Sequence, residues 1–143
     1  MSLHTIKSFL ADLLVVNVKW HNVHWNVVGS NFLAVHKFTE ELYEFAFEKF
    51  DEVAELLKMN GEFPVSSVKE ILSLSEIKEL DAKELNCSEA LKIVHEDLVL
   101  LKEKALKIRE EAESSKKYDV VMKFDELISE LSKYVWFIES MLK

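Results

Sequence analysis

The chain has 143 residues, a net charge of −8 and 31% charged residues, with 2 Gly and 1 Pro. That length is one domain's worth, and so few turn-forming residues argue against a strand-rich fold. The acidic balance argues against a general nucleic-acid or acidic-membrane surface, and a single cysteine, Cys87, rules out an intrachain disulfide.

The first predicted helix runs from His4 to Val27. Ile6, Phe9, Leu10, Leu13, Leu14, Val16, Asn17 and Trp20 recur at three- and four-residue steps. Gly29 is the expected stop, and Ser30 or Asn31 the expected cap of the second helix. That helix runs from Phe32 to Met59, closed by Asn60-Gly61 and then Pro64. Phe38, Leu42, Phe45, Phe47, Phe50, Val53, Leu56 and Leu57 cover more than one of its sides. A helix apolar over so much of its circumference packs against more than one neighbour, and a second subunit is one candidate.

From Gly61 to Cys87 the connection is too long for a plain loop. Ser67 with Glu70, and Ser73 with Glu76, have capping-box spacing, which predicts one or two short helices within Val68–Leu80. Asn86 with Glu89 offers a further box before the third long helix, Ser88 to Ala112. After Ser114-Ser115-Lys116-Lys117 the last helix runs from Asp119 to Met141, with Phe124, Leu127, Leu131, Val135 and Ile138 inward. The expectation is an all-α four-helix bundle, one domain over residues 1–143, with a short extra helix in the long crossover between the second and third helices. Trp20, Trp25 and Trp136 are expected in its core. No apolar run is long enough to span a bilayer, and Met1-Ser2-Leu3-His4 does not open a signal peptide. A soluble, cytoplasmic protein is expected.

His24 lies five residues before Gly29, and His36 five residues after Asn31. In an antiparallel hairpin those offsets put both at one level, facing across the seam. Asp51 and Glu55 are i, i+4 neighbours on the second helix. Histidine and carboxylate together suit a first-row transition metal such as iron. His36 and Asp51 stand about 22 Å apart along one helix, so they cannot bind one ion within one chain. Two copies of the second helix, antiparallel about a two-fold axis near Tyr43 to Ala46, would bring Asp51 and Glu55 of one beside His24 and His36 of the other. The alternative is an ordinary solvated face for the carboxylates. His4 and His95 read as surface or core histidines, and His21 as a group supporting the ligands.

The run His21-Asn22-Val23-His24-Trp25-Asn26-Val27-Val28-Gly29, with Phe32 and His36, resembles the signature of the Dps miniferritins, in the neutrophil-activating-protein-like branch. The resemblance continues through Phe38-Thr39-Glu40-Glu41-Leu42-Tyr43, Asp51-Glu52-Val53-Ala54-Glu55, Pro64, Ser67-Val68-Lys69-Glu70 and Tyr134-Val135-Trp136. It implies a ferritin-like bundle in a hollow dodecamer, with ferroxidase centres shared across two-fold interfaces. His24, His36, Asp51 and Glu55 would be the catalytic metal ligands of a mono- or di-iron centre, with Glu40 a further ligand. His21 and Trp25 would support them, and Glu41 and Glu44 would nucleate mineral. The implied activity is oxidation of Fe(II), preferentially by hydrogen peroxide, with ferric storage and protection against oxidative stress. Glu40 stands where many relatives have Asp. Asp119 is the one match to an acidic pore stretch otherwise replaced by Val120, Val121, Met122 and Lys123. The alternative function is a DNA-compacting nucleoid protein with secondary iron binding. The charge of −8, and Lys7 as the one Lys or Arg among the first ten residues, weigh against it.

Overall fold

The computed structural model describes residues 2–143. Four long helices carry the fold: α1 (His4–Asn26), α2 (Phe32–Met59), α4 (Cys87–Ser114) and α5 (Tyr118–Met141). A short helix, α3 (Val68–Leu74), lies in the α2–α4 crossover. Two two-residue strands, β1 (Val27–Val28) and β2 (Leu85–Asn86), pair in parallel. The first helix therefore stops at Asn26 rather than Val27, because Val27 is drawn into that pairing with Leu85. The third long helix is longer at both ends than its sequence pattern indicates, and the last begins one residue earlier.

Side-chain pairs give the helix directions. Asn17 meets Tyr43 and His24 meets His36, so α1 and α2 are antiparallel. Asp12 meets Lys104 and Lys19 meets Asp97, so α1 and α4 are antiparallel too. Arg109 meets Asp125 and His95 meets Glu139, which sets α5 against α4. Hence α2 and α4 run parallel, as a long crossover permits.

The termini follow local chemistry. Asn86 and Glu89 form a reciprocal capping box at α4, at 2.9 and 3.4 Å. Ser67 caps α3 by accepting from the Glu70 N–H at 3.3 Å. The Ser73–Glu76 box does not form. Ser73 instead donates to the Glu70 carbonyl, and the Glu76 N–H is taken by Asp12 at 2.7 Å. Neither Ser30 nor Asn31 caps α2 with its side chain. Gly29 sits at φ +127°, a conformation that side-chain-bearing residues rarely adopt, and this fixes the α1–α2 turn.

The core is continuous along the bundle, with Trp20, Phe9 and Phe124 fully buried and Phe9 edge-on to Phe124 at 5.2 Å. Tyr134 rather than Val135 is the buried member of its turn on α5. Two of the three tryptophans are not core residues: Trp25 is 67% and Trp136 64% exposed. Among the described residues no helix is long and apolar enough to cross a membrane.

Candidate metal centre

His24 and His36 meet across the α1–α2 seam as their distances from the turn require. Their rings stack with centroids 3.7 Å apart and planes 14° from parallel. Each ring nitrogen Nδ1 lies against the other residue's main-chain carbonyl, His24 Nδ1 at 2.6 Å from His36 O and His36 Nδ1 at 2.8 Å from His24 O. A carbonyl oxygen only accepts, so both Nδ1 atoms carry the proton, and in the neutral rings both Nε2 atoms keep a free lone pair. That is how a metal-binding histidine is presented when its other nitrogen is tied to a main-chain carbonyl.

The surroundings hold this pair. Thr39, fully buried, places its hydroxyl 2.8 Å from Val35 O, 3.0 Å from His36 O and 3.4 Å from His24 Nδ1. Phe32 stacks on the outer side of His36 at 4.9 Å. His21 repeats the same presentation, its Nδ1 2.6 Å from Asn17 O, and its ring lies on Tyr43 at 3.6 Å and near Trp25 at 5.4 Å. Burial first, and then the charges of Glu40 and Glu44, raise the Tyr43 phenol above its usual range, so it stays a donor. A depression of about 450 Å³ opens beside His21, walled by Asn17, Tyr43, Glu44, Phe47 and Glu48.

Along α2 the residues His36, Glu40, Tyr43, Phe47 and Asp51 step by four, three, four and four, one stripe of an α-helix. The opposite face carries the buried Val35, Leu42, Ala46 and Val53. The stripe faces out of the bundle: Phe47 is 59% exposed, and Glu40, Asp51 and Glu55 are exposed. Glu55 reaches a second hollow with Glu52, Asp119, Met122 and Lys123. The structure thus brings His24 and His36 together and leaves Asp51 and Glu55 at the far end. Among the described residues no three His, Cys, Asp or Glu side chains of one chain converge as metal ligands would.

Glu41 and Glu44 part company. Glu44 lines the hollow beside His21, whereas Glu41 accepts from the Tyr134 hydroxyl at 3.4 Å on the α5 side. Burial, with Glu41 next, pushes the Tyr134 phenol up to about 12. On that same side Lys49, 4% exposed, lies between Glu52 and Glu130, and Lys123 reaches Glu52 at 2.6 Å. Burial alone would raise the Glu52 carboxyl, but hydrogen bonds from Lys123 and Lys49 hold it below the usual range. Sequence reasoning missed Thr39 and Tyr43. Nothing in a lone threonine marks the first, but Tyr43 shares the His36–Asp51 face at helical spacing.

A family model described as a ferritin-like domain matches residues 4–143. The chain is 32% identical over 137 residues to a DNA protection during starvation protein of Helicobacter pylori, covering 96% of this chain and 95% of that one. Its structure is similar to that of antigen TpF1 from Treponema pallidum, with a TM-score of 0.96 at 31% identity over 98% of this chain and 90% of that one. It is also similar to a Dps protein from Bacillus brevis, with a TM-score of 0.93 at 31% identity over 97% and 93% of the two chains.

Proposed function

The chain belongs to the ferritin-like family and, within it, to the Dps proteins, and on that premise we propose that it oxidises Fe(II) and stores the ferric product in a closed oligomer. The observation that carries this reading is the histidine pair. Two imidazoles with tied Nδ1 and free Nε2 atoms meet across the α1–α2 seam, His36 on the α2 stripe that runs to Asp51, and one chain cannot close the set with Asp51 and Glu55. Pairing two α2 stripes antiparallel about a two-fold axis closes it twice, with the exposed Phe47 buried between the copies. The dodecameric assembly implied by the resemblance would then enclose the stored iron.

Iron is the substrate here. A histidine lone pair lies in its own ring plane, and planes only 14° apart with centroids 3.7 Å apart do not meet within bonding reach. One ion cannot lie in both planes, so the pair suits two ions, one on each Nε2. In this reading His24 takes one ion with the partner copy's Asp51 and Glu55, and His36 takes the other with Glu40, one turn along α2. Two Fe(II) give one electron each to hydrogen peroxide, whose O–O bond breaks to leave two hydroxides and two Fe(III). A two-electron oxidant matched to two adjacent one-electron donors releases no hydroxyl radical, which is the basis for proposing peroxide over oxygen. His21 and Trp25 flank the ligands without carrying them.

Protection of DNA, the role in the name of the Helicobacter pylori relative, then follows from removing iron and peroxide together. The charge of −8 opposes direct phosphate neutralisation. Work in the reducing cytoplasm fits the same picture. The test is anaerobic Fe(II) titration of the oligomer followed by one peroxide per two irons. Rapid oxidation without radical adducts is expected. Slow oxidation with radical adducts, or a monomer as active as the oligomer, would sink the proposal.

A further inference from the structure

Tyr43 touches one proposed ligand of each metal position, His24 and Glu40. Its ring meets His24 edge-on, with centroids 5.2 Å apart and planes at 86°, and lies face to face with His21 at 3.6 Å. Its hydroxyl is 3.5 Å from Glu40 Oε1 and donates to it. Its own carbonyl accepts from Asn17 Nδ2 at 2.8 Å, which ties this turn of α2 to α1. The residue is therefore held from three sides, and what it offers outward is one O–H directed at a carboxylate.

Glu40 needs such a hold. It is exposed, and its side chain has one more rotatable bond than aspartate to immobilise when it ligates. Tyrosine is stiff by comparison, and stacking on His21 fixes its ring. We propose that Tyr43 is a positioning residue for the second metal position, its phenol holding the Glu40 carboxylate beside His36 while its ring braces His24. The phenol does not ligate. It sets where the Glu40 oxygens stand, as groups behind metal ligands commonly do. This inference rests on the two-ion reading of the stacked histidines.

The test is Tyr43→Phe, which keeps the ring contacts and removes only the hydroxyl. Co(II), redox-inert under these conditions, is titrated into the assembled protein and followed by its visible absorption. The unaltered protein should bind two ions per site. Tyr43→Phe should bind the first within about twofold of the unaltered affinity and the second about tenfold more weakly. Glu40→Gln should reproduce the loss at the second position, and adding Tyr43→Phe to it should weaken binding no further. The retained first ion reports that the variant is folded and assembled. Two ions bound by Tyr43→Phe as tightly as before would overturn the proposal, as would losses that simply add in the double variant. A single ion per site in the unaltered protein removes the second position and overturns it too. No Co(II) binding at all would instead overturn the ferroxidase reading on which it rests.

Discussion

Two polar regions lie along α1, one against α4 and one against α2, and they are built on opposite principles. Against α4, charges are buried and complete. Lys19 meets Asp97 at 2.8 Å, and the Trp20 indole N–H donates to the same carboxylate at 3.0 Å. Asp12, fully buried, accepts from Lys104 at 2.5 Å, from Ser75 at 2.8 Å and from the Glu76 N–H. Every one of those groups finds its partner inside the chain. Against α2, the imidazoles are just as firmly held, yet each keeps one atom uncommitted. Closed polar groups define how the helices dock. Groups held in place with a free lone pair are poised for something outside the chain.

Breaking the closed region should cost the most. Asp97→Ala leaves the Lys19 ammonium buried without a counter-charge and should lower stability by about 3–5 kcal/mol, read from urea unfolding. Replacing both partners, Lys19→Met with Asp97→Leu, should recover most of that. Iron oxidation per folded molecule should not change in either variant. A large loss of oxidation in the double variant would mean that the two regions are coupled.

Breaking the open region should do the reverse. Asp51→Ala with Glu55→Ala removes exposed groups, so stability should stay within about 0.5 kcal/mol. Stopped-flow oxidation of Fe(II) should nevertheless slow by about 100-fold or more, since losing even a group behind a metal ligand costs about 10–100-fold. Unfolding alongside unchanged binding would place the carboxylates in the closed class. A milder effect sharpens the same point. Co-refolding that variant with His24→Ala/His36→Ala should return about one quarter of normal activity. Random mixing makes about half the dimers mixed, and one of the two sites in each is then whole. No recovery from mixed, assembled protein would deny the shared site.

The smallest effect is a difference in pH slope. Burial raises the Asp97 carboxyl against the pull of Lys19. The folded chain therefore holds that proton more tightly than the unfolded chain. This contributes stability below the unfolded value, and the contribution is lost as pH rises through the folded one. Glu52, held low by its two lysines, runs the other way: its contribution is present above the unfolded value and lost as pH falls through the folded one. Between about pH 5 and 3, Asp97→Asn should steepen the acid loss of stability and Glu52→Gln should flatten it. Denaturant midpoints against pH would read both, and equal slopes would refute the assignment.

The helices were legible because apolar residues recur at helical steps and because Gly29, Gly61 and Pro64 punctuate them. The bounds of α2 and the start of α3 agree with that pattern. The β1–β2 pairing left no such trace, since two residues carry no period. The Ser73–Glu76 box fails because Asp12, distant in sequence, claims the Ser75 hydroxyl and the Glu76 N–H. Lys19 and Asp97 are invisible as a pair because each alone looks like a surface charge. Trp25 and Trp136 are exposed although their size and apolar character suggest a core, because a large side chain carries no mark of which surface it faces. The histidine pair was legible from its equal distances to the turn. The carboxylates stand at the far end of α2, and the second copy proposed to bring them to the histidines leaves no mark in the pattern of one chain.

The seams also differ in how far along the chain their partners lie. His24 and His36 are 12 residues apart, and Arg109 and Asp125 16 apart, so each antiparallel helix pair closes on local contacts. Lys19 and Asp97 are separated by 78 residues, and Asp12 and Lys104 by 92. Joining such distant segments carries a loop-closure cost before any contact repays it. The two hairpins should therefore form early, and their docking through the buried charges late. A substitution at Asp97 would then act chiefly by speeding unfolding, while one at Gly29 would slow folding itself.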